Sequence, residues 1–243
     1  MSAALHLENV SVEFPVFYAP ERSLKRNLLG GSGHGLRINA LQDINLSLGR
    51  GSRTALLGGN ASGKTTLLRA AAGLLQPSKG SVVRQGRAFA VLNVGLGVDP
   101  DLSAYNTAIG HGLLAGHDVK ESRRRAEMAM EFGELDDKAA DTPIKLLGPG
   151  QRLRLGTGIA TALEANILLF DEVLEHAGPE FLDRLMGYIR QGPPSQGAVL
   201  MVERAAGLLL RFCDRAIVLE NGQVTDQGEL ASVVQRHAGR YVI

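Results

Sequence analysis

Three compact apolar runs constrain the fold of this chain more than any other feature: RTALLG (53–58), NILLFD (166–171) and GAVLMV (197–202). Such runs suit strands covered on both faces. A helical pattern follows each of them, over 63–74, 179–190 and 204–211. Repeated strand-then-helix units predict a mostly parallel sheet with helices on both sides. LHLENVSVEF and INLSL instead place apolar residues at every second position, as half-buried strands do. Near the end, Asn221-Gly222 separates RAIVLE from QVTDQG, a strong hairpin signal. No internal repeat is present.

Two segments interrupt this scheme. Residues 15–38, PVFYAPERSLKRNLLGGSGHGLRI, read as an insertion between the first two strands. Within it Arg22, Lys25 and Arg26 interleave with Leu24, Leu28 and Leu29. That pattern suits either a short amphipathic helix at a membrane surface or a solvated loop. Residues 99–147 carry no strand signal and contain the charged helical pattern VKESRRRAEMAMEF, so they read as an inserted helical subdomain. The expected organisation is one domain over 1–243, with its core at 1–98 and 156–243 and the helical subdomain at about 99–155.

Bulk properties exclude several classes. A net charge of +1 gives no basic track for nucleic acid. Cys213 is the only cysteine, so no internal disulfide can form. No apolar run reaches the ~18 residues that would span a bilayer, and MSAALHLENVSVEF lacks the form of a secretory signal. The expectation is a chain in the cytoplasm that acts at a membrane only through another chain.

Gly58-x-x-x-x-Gly63-Lys64-Thr65 fits the phosphate-loop pattern G-x-x-x-x-G-K-[ST]. Successive backbone N–H groups from Gly58, Gly59, Asn60, Ala61, Ser62 and Gly63 through Thr66 would surround an anion, which needs conformations that glycine reaches cheaply. Lys64 would reach the β- and γ-phosphates and the Thr65 hydroxyl would ligate Mg²⁺. The helix beginning at Gly63 aims its positive end at the same charge. The second requirement is an acid for the metal, and the run ILLF leads to Asp171-Glu172. Asp171 is placed to hold the ion as a Walker B carboxylate. Glu172 is placed to orient or deprotonate an attacking water.

Between these motifs lies LLGPGQRLRLGTGIATALEANILLFDE. This resembles the stretch of ATP-binding cassette (ABC) proteins in which an L-S-G-G-Q signature opens a helix ahead of Walker B; Leu147, Gly150, Gln151 and Arg152 match. LENVSVEFPVFYAPERSLKRNLLGG, DPDLSAYNT and DEVLEHAGPEF are similar to segments of bacterial ABC subunits that export O-antigen, capsule or teichoic-acid polysaccharides. The resemblance implies an α/β, RecA-like P-loop NTPase core with an antiparallel β edge and an inserted α-helical subdomain. It implies an ATP hydrolase, peripheral to the cytoplasmic face of the inner (cell) membrane. The implied partners are a membrane permease and a second ABC subunit, identical or not, joined head to tail. Gly150 and Gln151 would then meet the partner's ATP. Phe14 would stack on adenine, with Tyr18 as a rival and a plain core Phe as the alternative.

Several positions depart from the family pattern. Gly148 stands where a serine is expected, and Pro149 has no N–H to donate. Arg204 occupies the place of the switch histidine, where it can pair with a γ-phosphate or form an ion pair with Glu203 or a neighbour. Gly178 replaces an aspartate, with His176 nearby as a solvated loop histidine. AVLNVGLGVDP has no glutamine, and Asn93 is its closest amide. Nucleotide binding should survive these changes while turnover slows. The alternatives are a regulatory ABC subunit with little hydrolysis, a P-loop small-molecule kinase, and a soluble ABC protein of translation or repair. The kinase lacks support because the arginines of ESRRRAEMAM point around a helix. The soluble ABC protein would bring two cassettes or a long coiled coil.

Overall fold

The computed structural model describes residues 3–15, 37–92 and 99–240. Its strands are β1 (Ala3–Pro15), β2 (Arg37–Gly49), β3 (Ser52–Leu57), β4 (Lys79–Arg84), β5 (Ala88–Leu92), β6 (Ile167–Asp171), β7 (Ala198–Val202), β8 (Arg215–Glu220) and β9 (Gln223–Glu229). They form a six-stranded sheet, β5-β6-β7-β3-β8-β9, and a three-stranded sheet, β2-β1-β4. Every pairing in the larger sheet is parallel except β8 with β9, the hairpin carried by Asn221-Gly222. The smaller sheet is antiparallel throughout.

The apolar runs lack alternation because both of their faces are covered. In β6, Leu168 and Phe170 join the core under the helices, while Ile167 and Leu169 join the core between the two sheets. β3 and β8 divide in the same way: Leu57 and Val218 go to the first core, Leu56 and Ile217 to the second. Residues 5–8 of β1 and 44–49 of β2 bury one face only, so Leu5, Leu7, Leu46 and Leu48 alternate with exposed His6 and Ser47.

Arg37 and Ile38, expected in the insertion, belong to β2, where Phe14 pairs with Ile38. β4 and β5 lie outside the strands expected from sequence. Most of β4, KGSVVR, is exposed, so its strand state comes from pairing with β1 rather than from an apolar pattern. The proposed amphipathic stretch around Arg22–Leu29, and the residues Tyr18 and Asn93, lie outside the described residues.

Helix α1 (Lys64–Ala72) follows β3. Helices α2 (Ala104–Leu114), α3 (Val119–Gly133), α4 (Asp137–Asp141) and α5 (Pro149–Ala162) make up the helical segment. Ser103, Asp118 and Asp136 cap the first three by accepting the N–H groups of Asn106, Glu121 and Ala139. These caps are local signals that stop and restart the chain. α5 runs unbroken through residue 155, where the subdomain boundary is expected, and so ties this segment to the core. Gly158 permits the close approach of α3 to α5, since a Cβ there would lie 2.2 Å from the Ala129 carbonyl oxygen. After β6 come α6 (Pro179–Gln191), α7 (Ala206–Phe212) and α8 (Leu230–Arg236). Among the described residues no helix is long and apolar enough to cross a membrane.

Candidate functional site

The carboxyl ends of β3, β6 and β7 lie side by side in the sheet, the usual place for a ligand in an open α/β fold. From β3 the chain turns at Gly58 and enters α1 at Lys64. Gly63 has φ +105°, and a Cβ there would come 2.6 Å from the Ala40 carbonyl oxygen, so this corner requires glycine. The β8–β9 turn braces the loop from the other side, where the Gly222 N–H donates to the Ser62 carbonyl at 3.0 Å. The Lys64 ammonium donates to the carbonyls of Gly58 and Gly59, each at 2.8 Å, and so stands across the mouth of the loop. Burial holds it below the usual lysine range, against the attraction of Glu172 and Asp171.

The Thr65 hydroxyl donates to Asp171 Oδ2 at 2.8 Å, joining the start of α1 to the end of β6. Burial raises the Asp171 carboxyl above its usual range; the Thr65 hydrogen bond works the other way, and Glu172 adds to the rise. The donor set fits a magnesium-bound polyphosphate. The loop and the start of α1 offer backbone amides, Lys64 offers an ammonium, and Thr65 and Asp171 offer hard oxygen ligands for a small divalent cation.

Glu172 adopts a left-handed backbone conformation, φ +51°, which is uncommon away from glycine. Its N–H donates to the Val202 carbonyl at 2.8 Å. Its carboxylate meets Arg204: Nη2 lies 2.9 Å and Nε 3.0 Å from Oε2. Of the ion pairs expected for Arg204, with Glu203 or with a neighbour, the structure has one with a neighbour, Glu172, and none with Glu203. Glu203 points inward and is 7% exposed. Its Oε1 accepts the N–H groups of Val173 at 3.0 Å and Leu174 at 2.8 Å, and its Oε2 is buried without a hydrogen-bond partner.

Burial pushes the Glu203 carboxyl up from 4.5 to about 7; the two backbone bonds oppose the rise, and Glu175 and Glu172 reinforce it. Between pH 4.5 and 7 the folded chain thus keeps a proton that the unfolded chain has released. The stabilisation is complete below 4.5 and is lost as the pH rises through 7. Urea unfolding of the wild type is expected to show this decline across the window, and Glu203→Gln to flatten it. Equal slopes for the two proteins would contradict the assignment.

Two cavities meet at Asn60, Lys64 and Glu172. One, of about 310 Å³, is lined by Ala61, Ser62, Gly63, Thr65, Thr66 and Asp171, with Ile38 and Ala40 from β2. The other, of about 410 Å³, is lined by Gly58, Gly59, Glu203, Arg204 and Arg240. The loop residues, the two acids and Arg204 are thus brought together. Phe14 is not among the lining residues; it is 41% exposed at the end of β1, and its strand partner Ile38 faces the loop instead. Ile38 was hidden in a stretch read as insertion, and Arg240 carries no local motif. Gly150 and Gln151 start α5 and line neither cavity. Gln151 Oε1 accepts the Gly148 N–H at 3.1 Å, and a Cβ on Gly150 would lie 2.8 Å from the His176 carbonyl oxygen. Gly178 caps α6, and His176 lies 3.9 Å from Glu175.

A family model described as ABC transporter matches residues 41–175. The O-antigen export system ATP-binding protein RfbE of Yersinia enterocolitica is 29% identical over 233 residues, covering 92% of this chain and 97% of the relative. The O-antigen export system ATP-binding protein RfbB of Klebsiella pneumoniae is 29% identical over 246 residues, covering 97% of each. Among solved structures, a dimeric post-hydrolysis state of the ATP-binding cassette MJ0796, bound to ADP and Pi, superposes with a TM-score of 0.70. It is 21% identical and covers 93% of this chain and 98% of the other, a likeness that shows a shared fold.

Proposed function

This chain belongs to the ABC transporter family, and from that premise we propose that it is the ATP-binding, ATP-hydrolysing subunit of an exporter of polysaccharide or lipid-linked glycan. The names of the O-antigen relatives support the substrate class. The observation that carries the nucleotide reading is the meeting of Lys64, Thr65, Asp171 and Glu172 around one loop.

In this reading the amides of Gly58 to Thr66 cradle the phosphates and Lys64 leaves its two carbonyl partners for phosphate oxygens. Thr65 and Asp171 would hold the magnesium, which would offset phosphate charge. Ile38, with Phe14 beyond it, forms the apolar edge on which the base rests. Glu172 accepts a proton from the attacking water. Arg204 binds either that carboxylate or the terminal phosphate, so engaging the phosphate frees Glu172. Two subunits pair head to tail, each offering Gly150, Gln151 and the start of α5 to its partner's nucleotide. Pro149 has no N–H and the Gly148 N–H is already donated to Gln151 Oε1, so this cross-contact is weaker than the family pattern provides. Slow turnover follows. A separate permease spans the membrane, and this subunit sits on its cytoplasmic face.

The Glu172–Arg204 pair also favours a second reading, a regulatory subunit that binds ATP and scarcely hydrolyses it. Export itself is tested in cells carrying Asp171→Asn. They should lose surface glycan while its lipid-linked precursor accumulates inside. Surface glycan at the wild-type level would overturn the export reading.

A further inference from the structure

Residues 202–204 do more than carry Arg204 to the site. Three consecutive N–H groups after Asp171, those of Glu172, Val173 and Leu174, are all taken by this segment: the first by the Val202 carbonyl, the other two by Glu203 Oε1. The residue at the start of this run, Glu172, has the left-handed conformation. For a residue with a side chain, such a conformation persists only where its surroundings over-determine it. We propose that Glu203 is a positioning residue, which holds Glu172 in its left-handed conformation by gathering the next two backbone amides, and so aims the Glu172 carboxylate at the cavity it shares with Lys64 and Arg204. The inference rests on the reading of Glu172 as the water-activating base.

Three observations carry it. Glu203 is 7% exposed and its side chain points across from the end of β7 to the β6 loop rather than to solvent. Its single accepting oxygen makes both bonds, at 3.0 and 2.8 Å, so losing it would orphan two buried donors at once. Its other oxygen is buried without a partner, and burial pushes the carboxyl up to about 7, so the group can serve as a neutral acceptor. An amide oxygen can fill that role, whereas a thioether of similar length cannot. This separates Glu203→Gln from Glu203→Met, and the Met variant keeps the buried volume.

The test uses the isotope-labelled, full-length, nucleotide-free protein. NMR should show the Glu172 Cα shift moving away from its left-handed value in Glu203→Met. The Val173 and Leu174 amides should exchange about tenfold faster or more. Glu203→Gln should restore both. Steady-state assays should show kcat falling roughly ten- to a hundredfold in the Met variant with the Kd for Mg–ATP unchanged, because the phosphate loop is untouched. Should the Met variant not fold, the Gln variant alone decides: a wild-type Glu172 shift and wild-type kcat support the proposal, and a displaced shift overturns it. An unmoved Glu172 shift in Glu203→Met overturns it too, as does ATP affinity falling in step with kcat. If the wild type turns over no faster than Glu172→Gln, the hydrolysis reading falls instead, and the backbone shifts still decide whether Glu203 holds Glu172.

Discussion

Replacing Lys64 by alanine will lower the affinity for Mg–ATP by about two to four orders of magnitude and leave the fold intact. The ammonium holds two carbonyl oxygens, of Gly58 and Gly59, at the mouth of the loop, and in the proposed function these bonds exchange for phosphate oxygens when nucleotide arrives. Charge-assisted bonds contribute roughly 1.5–3 kcal/mol each, so two amount to about 3–6 kcal/mol, or roughly 10²- to 10⁴-fold in Kd. Stability should scarcely change, since the carbonyls it leaves can turn to water. Calorimetric titration with Mg–ATP, beside a thermal melt, gives both numbers. An affinity within about threefold of wild type would remove the phosphate-loop reading altogether.

Replacing Glu172 by glutamine should separate binding from turnover. The amide keeps the length of the side chain but cannot take a proton from water, and a general base contributes typically about 10²- to 10⁴-fold to a rate. kcat should fall by that order while Mg–ATP binding holds, because none of the phosphate-loop amides, Lys64 or Thr65 is altered. The Arg204 pair adds a second consequence. The guanidinium loses its anionic partner, so any restraint it places on nucleotide engagement weakens and ATP should bind at least as tightly. Turnover by wild type and variant that is equal and near zero would instead support the regulatory subunit.

Much of the site was legible in the chain because its chemistry is local. A glycine at a corner that excludes any Cβ, a lysine after it and a hydroxyl next in line occupy fixed offsets, and the loop that they form is short. Asp171 was equally legible, since a strand buried on both faces must end somewhere and an acid at that end stands out. Ile38 was not, because its place beside the loop comes from pairing with Phe14 across a stretch read as insertion. Exposed β4 was also hidden, as it owes its strand state to a partner.

The sharpest difference concerns three neighbours, Val202, Glu203 and Arg204. As a string they read as the end of an apolar strand followed by two charges, free to pair with each other. Their actual partners, the Glu172 N–H, the Val173 and Leu174 amides and the Glu172 carboxylate, lie about thirty residues earlier. They meet because β6 and β7 are parallel neighbours, with Asp171 in register with Val202. From the order of residues alone follow the α/β class, the phosphate loop and the acids of the site, since each rests on burial pattern or on groups a few positions apart. Which cation faces Glu172, and which carboxylate is drawn inside to hold its loop, followed from strand adjacency, because register between distant strands is set by the packing of the whole sheet.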